Sequence, residues 1–184
     1  MVTIDHIRGT ALYLGMDSEH SGDISVTTDF CLSPRYWASA GEAFHAPTEE
    51  AIRSLMKSNG SVGLRLGDCD RDTYEDITLD GFQTGIYNRE MTRAGLSGSF
   101  YRLTITGADT GLELHGIDTR YGLLLANSTI SATSAAIRNL PEAESTTPGN
   151  FNYVYLVHCE ISGKTEGKVR VSDESGSAQA SEYT

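Results

Sequence analysis

Apolar and small polar residues follow one another in a ten-residue pattern that recurs along the chain. It runs apolar, small polar, glycine or alanine, three variable residues, a second glycine or alanine, and then a short strand-like segment. The four copies begin at Leu79, Ile105, Ile130 and Ile161. Their first small residues lie at positions 81, 107, 132 and 163, so the steps are 26, 25 and 31 residues. A period near 25 with several short strands predicts stacked coils of β-strand.

The positions upstream of each copy keep the same register. Two places before the lead residue stand Ile77, Leu103, Ser128 and Cys159, and five places before it stand Tyr74, Phe100, Leu125 and Leu156. An offset of two is that of one inward-facing row of a strand. An offset of five does not fit the same alternation, so we predict a bend between these two rows.

One segment departs from the strand pattern and predicts an α-helix near residues 48–59. Thr48 can cap the helix, Glu49 and Glu50 suit the positive end of its dipole, and Gly60 ends it. Ala51, Ile52, Leu55 and Met56 form a single apolar stripe. We interpret residues 31–60 as a loop and helix inserted into the coil stack and lying against its side.

The fold class predicted from these patterns is all-β, a right-handed parallel β-helix with coils of about 25 residues. It covers residues 1–171, and the polar segment 172–184 is predicted to be a flexible tail. Neither end of the stack shows a convincing cap. An uncapped stack exposes sheet edges, so we expect further coils of a longer chain or an oligomer partner to cover them.

Composition narrows the function classes. The net charge of −11 and a pI near 4.8 disfavour binding to a phosphate backbone, so no nucleic-acid partner is expected. No apolar run approaches the ~18 residues that span a bilayer, so no membrane partner is expected either. The cysteines Cys31, Cys69 and Cys159 are far apart and form no C-x-x-C pair. We therefore predict three buried thiols, no metal and no cofactor.

The densest acidic cluster holds five carboxylates, Asp68, Asp70, Asp72, Glu75 and Asp76. Three interpretations stay open: a solvated turn, a calcium site, or glycoside hydrolysis. Calcium takes six to eight oxygen ligands. Hydrolysis requires two carboxylates about 5 Å apart for retention or about 6.5–9.5 Å apart for inversion.

A polar row runs three places before the lead apolar residue and contains Asp76, Arg102, Asn127 and His158. Stacked outward positions on neighbouring coils lie about 4.8 Å apart. The row is either the floor of an active groove or a solvated charged face with a surface salt bridge between Asp76 and Arg102. The aromatic pair Tyr36 and Trp37 likewise either stacks on a sugar ring or anchors its loop to the coil wall.

A family resemblance adds to these observations. The segment Ser33–Ala38, the helical segment Ala46–Gly60, and the segments Gly81–Gly85 and Gly98–Ile105 resemble the pectate-lyase-like superfamily, in particular proteins related to glycoside hydrolase families 55 and 28. The likeness covers roughly Val2 to Ala132. The Asn-Thr-Asp and Gly-His-Gly signatures of family 28 are absent here, which argues against hydrolysis of the family 28 type.

The resemblance implies an extracellular polysaccharide hydrolase or lyase, with this chain covering part of a longer protein. No signal peptide is recognisable in the sequence. If the chain is an enzyme, we expect catalysis by Asp76, Glu75 and Arg102, and polysaccharide contacts from Tyr36, Trp37, Asn127 and His158. The alternatives are a non-catalytic glycan-binding or structural β-helix of the tailspike or adhesin type, and a fragment that is inactive alone.

Overall fold

The fold is that of a computed structural model. It describes residues 2–19, 24–69, 71–89, 95–118, 120–140, 153–172 and 178–183, the last range by its backbone alone. The described strands are β1 (Thr3–Gly9), β2 (Leu14–Ser18), β3 (Val26–Leu32), β4 (Val62–Leu66), β5 (Asp72–Asp80), β6 (Thr84–Asn88), β7 (Gly98–Tyr101), β8 (Thr104–Leu114), β9 (Leu123–Ala126), β10 (Thr129–Asn139), β11 (Val154–Val157), β12 (Glu160–Ser172) and β13 (Ala178–Tyr183). The helices are α1 (Arg35–Ala38) and α2 (Glu49–Ser58), with a single 3-10 turn at Glu42–Phe44 between them.

The repeat predicts which strands are neighbours, and the structure confirms it. Leu79 pairs with Ile105, Ile105 with Ile130, and Ile130 with Ile161, all in parallel strands. The upstream rows pair in the same way, since Tyr74 lies beside Phe100. Residues at equivalent positions of the pattern therefore form continuous rows across the sheet.

The predicted right-handed parallel β-helix is wrong, because the strands close into a barrel. The sheet follows the order β1-β3-β5-β7-β9-β11-β12-β10-β8-β6-β4-β2, and an additional pairing joins β5 to β8. That pairing completes a ring of seven parallel strands, β5, β7, β9, β11, β12, β10 and β8. An open solenoid has no such ring. The remaining strands extend the sheet beyond the barrel.

Closure depends on long strands that change partner along their length. The first part of β5, Asp72–Glu75, pairs with β7, whereas its last part, Thr78–Asp80, pairs with β8. The far half of β8 then pairs with β6. A repeat period determines the register between neighbouring strands. It does not determine whether the first and last strands of the set also pair, which is why the sequence did not reveal the ring.

The interior is filled by the predicted apolar rows. Ile77, Leu79, Leu103, Ile105 and Ile130 are each fully buried. The rings of Tyr74 and Phe100 stack with centroids 4.4 Å apart and planes 9° from parallel. Burial of such side chains stabilises the fold by roughly 1.5–3 kcal/mol each.

A glycine in β8 marks a close approach of two neighbouring strands. A Cβ added at Gly111 would lie 2.5 Å from Ile130 Cγ2 and closer still to the carbonyl oxygen of Ala136. Ile130 and the backbone of Ala136 therefore leave no room for a methyl group at Gly111. The second small residue of this copy of the repeat is a glycine for this steric reason.

The predicted helix is confirmed as α2. The Thr48 side chain accepts a hydrogen bond from the Ala51 amide at the N-cap, and Ile52 and Met56 are buried against the sheet. Leu55, which we placed in the same stripe, is 41% exposed. The helix is joined to the sheet by ion pairs from Arg53 to Asp80 and from Lys57 to Asp109, each with an N···O distance of 2.6 Å.

The two ends of the sheet differ. β12 is paired with antiparallel β13, which falls within the range 172–184 where we expected a flexible tail. At the opposite end, β1 pairs only with β3 and β2 only with β4 in the part of the chain that the structure describes. Neither helix of the described ranges has the length and apolar character to cross a membrane.

Candidate functional site

The predicted bend lies at a row of six outward residues that share an unusual backbone conformation. We call it the corner row, and its members are His6, Asp29, Asp76, Arg102, Asn127 and His158. Each follows the last paired residue before the bend, so the six lie on adjacent strands. All have positive φ, between 50° and 59°. The sequence identified four of them; His6 and Asp29 were missed because they lie upstream of the clear repeats.

Left-handed backbone explains the choice of residues in the corner row. Asn, Asp and His adopt positive φ several times more often than other non-glycine residues, and five of the six members are of these types. The left-handed residue turns the strand: in β5, Tyr74 points inward before Asp76 and Ile77 points inward after it. This turn explains why the upstream row lies five places, an odd number, before the lead residue of the repeat.

The three predicted catalytic residues meet as an ionic bridge. Arg102 Nε lies 2.6 Å from Asp76 Oδ1, and Arg102 Nη2 lies 2.9 Å from Asp76 Oδ2 and 3.4 Å from Glu75 Oε2. The hydrogen bonds from Arg102 hold the pKa of Asp76 below its ordinary value. The same pairing raises the pKa of the Arg102 guanidinium. About half of each of these two side chains is exposed.

This arrangement does not resemble an acid–base pair. A glycosidase acid requires a carboxyl with a raised pKa, so that it carries a proton near neutral pH. The pKa of Asp76 is shifted in the opposite direction, and one guanidinium occupies both carboxylates. The geometry brings Asp76, Glu75 and Arg102 together as a surface ion-pair cluster, with the guanidinium between the two carboxylates.

The remainder of the corner row differs from end to end. Near β1, His6 Nδ1 lies 2.6 Å from Asp5, and Arg8 pairs with Asp29. At the other end, Asn127 and His158 are exposed. Within the described ranges, neither of these two side chains makes a hydrogen bond or ion pair. Both are therefore available to a ligand.

A second outward row lies two residues beyond the corner row. We call Thr78, Thr104 and Thr129 the threonine row; they pair strand to strand and are half-buried. Cys31 precedes them on β3 and Glu160 follows them on β12. Parallel strands about 4.8 Å apart hold the three hydroxyl groups in a line. The pattern of the repeat contained this row, but we did not single it out.

Asp80 lies two residues beyond Thr78 on β5, on the side of the threonine row that faces helix α2. Both its oxygens accept hydrogen bonds from Arg53, at 2.6 and 3.2 Å, and the hydroxyl groups of Ser33 and Thr106 also donate to it. Burial alone raises the pKa of Asp80, but the hydrogen bonds from Arg53 and Ser33 outweigh it. The pKa therefore lies below its ordinary value.

The aromatic pair lies beside one end of the threonine row. Arg35 Nη2 donates to Tyr36 Oη at 2.9 Å and contacts Cys31 Sγ at 3.8 Å, which places the pair next to β3. The amide of Trp37 donates to Thr10 Oγ1 at 3.1 Å. The backbone thus anchors the loop, while 37% of Trp37 stays exposed. Tyr36 and Trp37 are separated from Asn127 and His158 by the strands that carry the threonine row.

The predicted acidic cluster does not form one site. Asp72 is buried, with Oδ1 accepting from the Ser25 amide at 2.8 Å, whereas Asp76 belongs to the corner row. Asp70 lies outside the described residues. Across the described ranges, no group of three or more His, Cys, Asp or Glu side chains is arranged to hold a metal ion. Cys31 and Cys69 are buried free thiols, and Cys159 is a half-buried one.

A cavity of about 450 Å³ opens at the β1 and β2 end of the sheet. Its walls include the apolar side chains of Ile4, Met16 and Tyr74 and the carboxylates of Asp17 and Glu19. Both carboxylates face Arg65, so the cavity carries paired charges. The sequence gave no indication of this cavity, because its lining comes from strands far apart along the chain.

Comparison of the chain with protein-family models, with curated proteins and with solved structures finds no match. The resemblance to the pectate-lyase-like superfamily therefore stays a prediction. The parallel β-helix that it implied, the pectin-lyase fold, is corrected by the closed barrel. The comparisons give no support to a carbohydrate ligand or to an extracellular location.

Proposed function

We propose that the chain is a non-catalytic module that binds a neutral polysaccharide along the threonine row. The observation that carries this proposal is the surface itself. The three threonines lie in line on neighbouring strands. On one side of them is β3, which leads into the loop that carries the exposed Trp37, and on the other side are the exposed polar side chains of Asn127 and His158. A polysaccharide presents hydroxyl groups and apolar ring faces at regular intervals, which such a surface complements.

The charges favour a neutral polymer over an acidic one. The chain carries a net charge of −11, and Arg102, a cation beside the surface, is occupied by Asp76 and Glu75. An anionic polysaccharide such as alginate or polygalacturonate would meet repulsion from the whole molecule. A neutral glucan or mannan would meet none.

The same contacts favour binding over cleavage. Asp76 is held as a paired anion, whereas hydrolysis requires one carboxyl that keeps its proton. We therefore expect neither new reducing ends nor unsaturated products when the chain is incubated with polysaccharides. Products that disappear in Asp76→Asn would contradict this part of the proposal and restore the hydrolase or lyase hypothesis.

The direct test is affinity electrophoresis of the chain through gels that contain a neutral β-glucan, a mannan, alginate or polygalacturonate. We expect retardation by at least one neutral polymer, and weaker retardation of Trp37→Ala and of the nearly isosteric Thr104→Val. The loss of a stacked ring or a ligand hydrogen bond is worth about 1–3 kcal/mol, or about 5- to 150-fold in affinity.

Two matched variants serve as controls. Phe44→Ala removes an aromatic ring that is 78% exposed and belongs to the separate 3-10 turn at Glu42–Phe44. Thr73→Val changes an outward threonine on the other side of the bend. Both should bind like the native chain. Retardation by no neutral polymer, or equal losses in the controls and in Trp37→Ala, would overturn the proposal.

A further inference from the structure

The open end of the sheet exposes two strand edges and apolar side chains that are buried everywhere else in their rows. Ile7, Phe30 and Ile77 occupy the same row on β1, β3 and β5. Phe30 is 3% exposed and Ile77 fully buried, whereas Ile7 is 40% exposed. The side chains of this row are thus buried except on β1, whose outer edge pairs with no other described strand.

The same end carries further uncovered apolar surface. Val2 is 56% exposed, and the cavity beside it is lined by Ile4 and Met16. Within the described ranges, no strand pairs with the outer edge of β1, although β12 at the opposite end is covered by β13. Unpaired edges next to apolar surface are sites where another strand adds to a sheet.

The sequence of β1 is complementary to itself in the antiparallel direction. If the axis passes between His6 and Ile7, Asp5 of one chain lies opposite Arg8 of the other, and Arg8 lies opposite Asp5. Ile4 then lies opposite Gly9, and both residues of this pair belong to inward-facing positions. The left-handed bend at His6 lies beside the axis of the pairing, opposite Ile7 of the partner, so the two bends are adjacent.

We propose that a second copy of this chain docks on the open end, with β1 pairing antiparallel with β1 of its partner. A twofold interface must be self-complementary, and the charge order of β1 meets that requirement. The two cavities would face each other across the axis, and the exposed Val2 and Ile7 would be covered. This inference does not rest on polysaccharide binding.

Sedimentation velocity of the full chain, measured over a wide range of concentrations, tests the proposal. We expect the native chain to reach twice its mass of 19.9 kDa. Asp5→Arg alone and Arg8→Asp alone should each weaken the dimer by at least about tenfold, because each places like charges opposite one another. The double variant, Asp5→Arg with Arg8→Asp, should recover the dimer.

A mixture of the two single variants gives the most specific result. Asp5→Arg chains carry two arginines on β1 and Arg8→Asp chains carry two aspartates, so only the mixed dimer is complementary. We expect mixing to yield dimers from two populations that are monomeric alone. A folding defect cannot produce this outcome, because mixing does not rebuild the Arg8–Asp29 pair that the Arg8→Asp chain lacks.

Arg138→Asp is the matched control, because it reverses a charge in an ion pair with Glu166 on the side of the sheet. It should leave the dimer unchanged, and thermal unfolding checks that each variant is folded. A native chain that stays monomeric at every concentration would overturn the proposal and leave the surface to a different partner. A dimer that tolerates both charge reversals, or variants that do not pair on mixing, would overturn it equally.

Discussion

At the residue scale, the corner row shows how one backbone requirement selects side chains. Left-handed backbone costs a non-glycine residue roughly 1–2 kcal/mol, and a short polar side chain lowers that cost by bonding locally. Five members are Asp, Asn or His, as this requirement predicts. Arg102 is the exception, and its contacts with Asp76 and Glu75 compensate for its conformation.

Asp80, the half-buried partner of helix α2, gives the first prediction. Asp80→Asn should lower the free energy of unfolding at neutral pH by about 1–3 kcal/mol, because Arg53 and two hydroxyl groups lose a charged acceptor. Urea unfolding measures the loss. Asp109→Asn, at a pair with both side chains about a third exposed, should cost less than about 1 kcal/mol.

The pH dependence of the same pair follows from the direction of the shift. The pKa of Asp80 is lower in the folded state than in the unfolded state, where it is about 3.9. Its contribution is therefore complete above that value and is lost as the pH falls through the folded pKa. The difference in stability between the native chain and Asp80→Asn should shrink in acid. A difference that stays constant from neutral to strongly acid pH would contradict the pairing.

At the element scale, helix α2 fastens the inserted segment to the sheet. Its position depends on two buried side chains, Ile52 and Met56, and on Arg53 and Lys57 at the sheet surface. The N-cap at Thr48 fixes the start of the helix, and the helical spacing from there places these four side chains on the side that faces the sheet. The apolar stripe predicted the facing side correctly at Ile52 and Met56 but not at Ala51 and Leu55, which are exposed. A stripe in sequence does not reveal where the opposing surface ends.

Removal of the N-cap is the second prediction. Thr48→Ala should destabilise the protein by about 1 kcal/mol, because the Ala51 amide loses its acceptor. Thermal or urea unfolding reports the change, and Thr48→Ser should retain most of the native stability. Ser58→Ala, in the last turn of the helix, is the control and should change stability by less than about 0.5 kcal/mol. Equal effects of Thr48→Ala and Ser58→Ala would contradict the assigned cap.

The close approach of two neighbouring strands at Gly111 gives the third prediction. Gly111→Ala should cost about 1–3 kcal/mol, because the added methyl group meets Ile130 and the backbone of Ala136. Gly9→Ala is the matched control, since its nearest neighbour, Leu32 Cδ2, would be 3.8 Å from the new atom. Urea unfolding of both variants measures the difference. A similar cost at both positions would show that backbone flexibility, rather than crowding, sets the effect.

At the scale of the whole molecule, ring closure and charge are the dominant properties. Seven parallel strands pair around a filled interior, and the chain carries a net charge of −11. Within the described ranges, the outermost strands β1, β2 and β13 each pair on one side only, so the open edges of the sheet lie at these three strands.

Salt dependence provides the fourth prediction. If the ligand is a neutral polysaccharide, its affinity should change by less than about twofold between low and high ionic strength, because no charge is neutralised on binding. Isothermal titration at several salt concentrations measures this. Binding that weakens steeply with added salt would indicate contacts to a charged polymer and would contradict the assigned ligand class.

The sequence by itself determined the local features of this protein. The pairing of Leu79, Ile105, Ile130 and Ile161, the bend three places before them, and helix α2 all follow from residue spacing. The physical reason is that strand alternation and helix periodicity are properties of the backbone, and equivalent positions of a repeat stack on one another.

Only the tertiary structure decided how these elements close and what they expose. Four features each depend on residues distant along the chain: the β5–β8 pairing, the bridge from Arg102 to two carboxylates, the line of Thr78, Thr104 and Thr129, and the open end at β1. A linear pattern carries no information on such distances, because many paths through space satisfy the same local spacing.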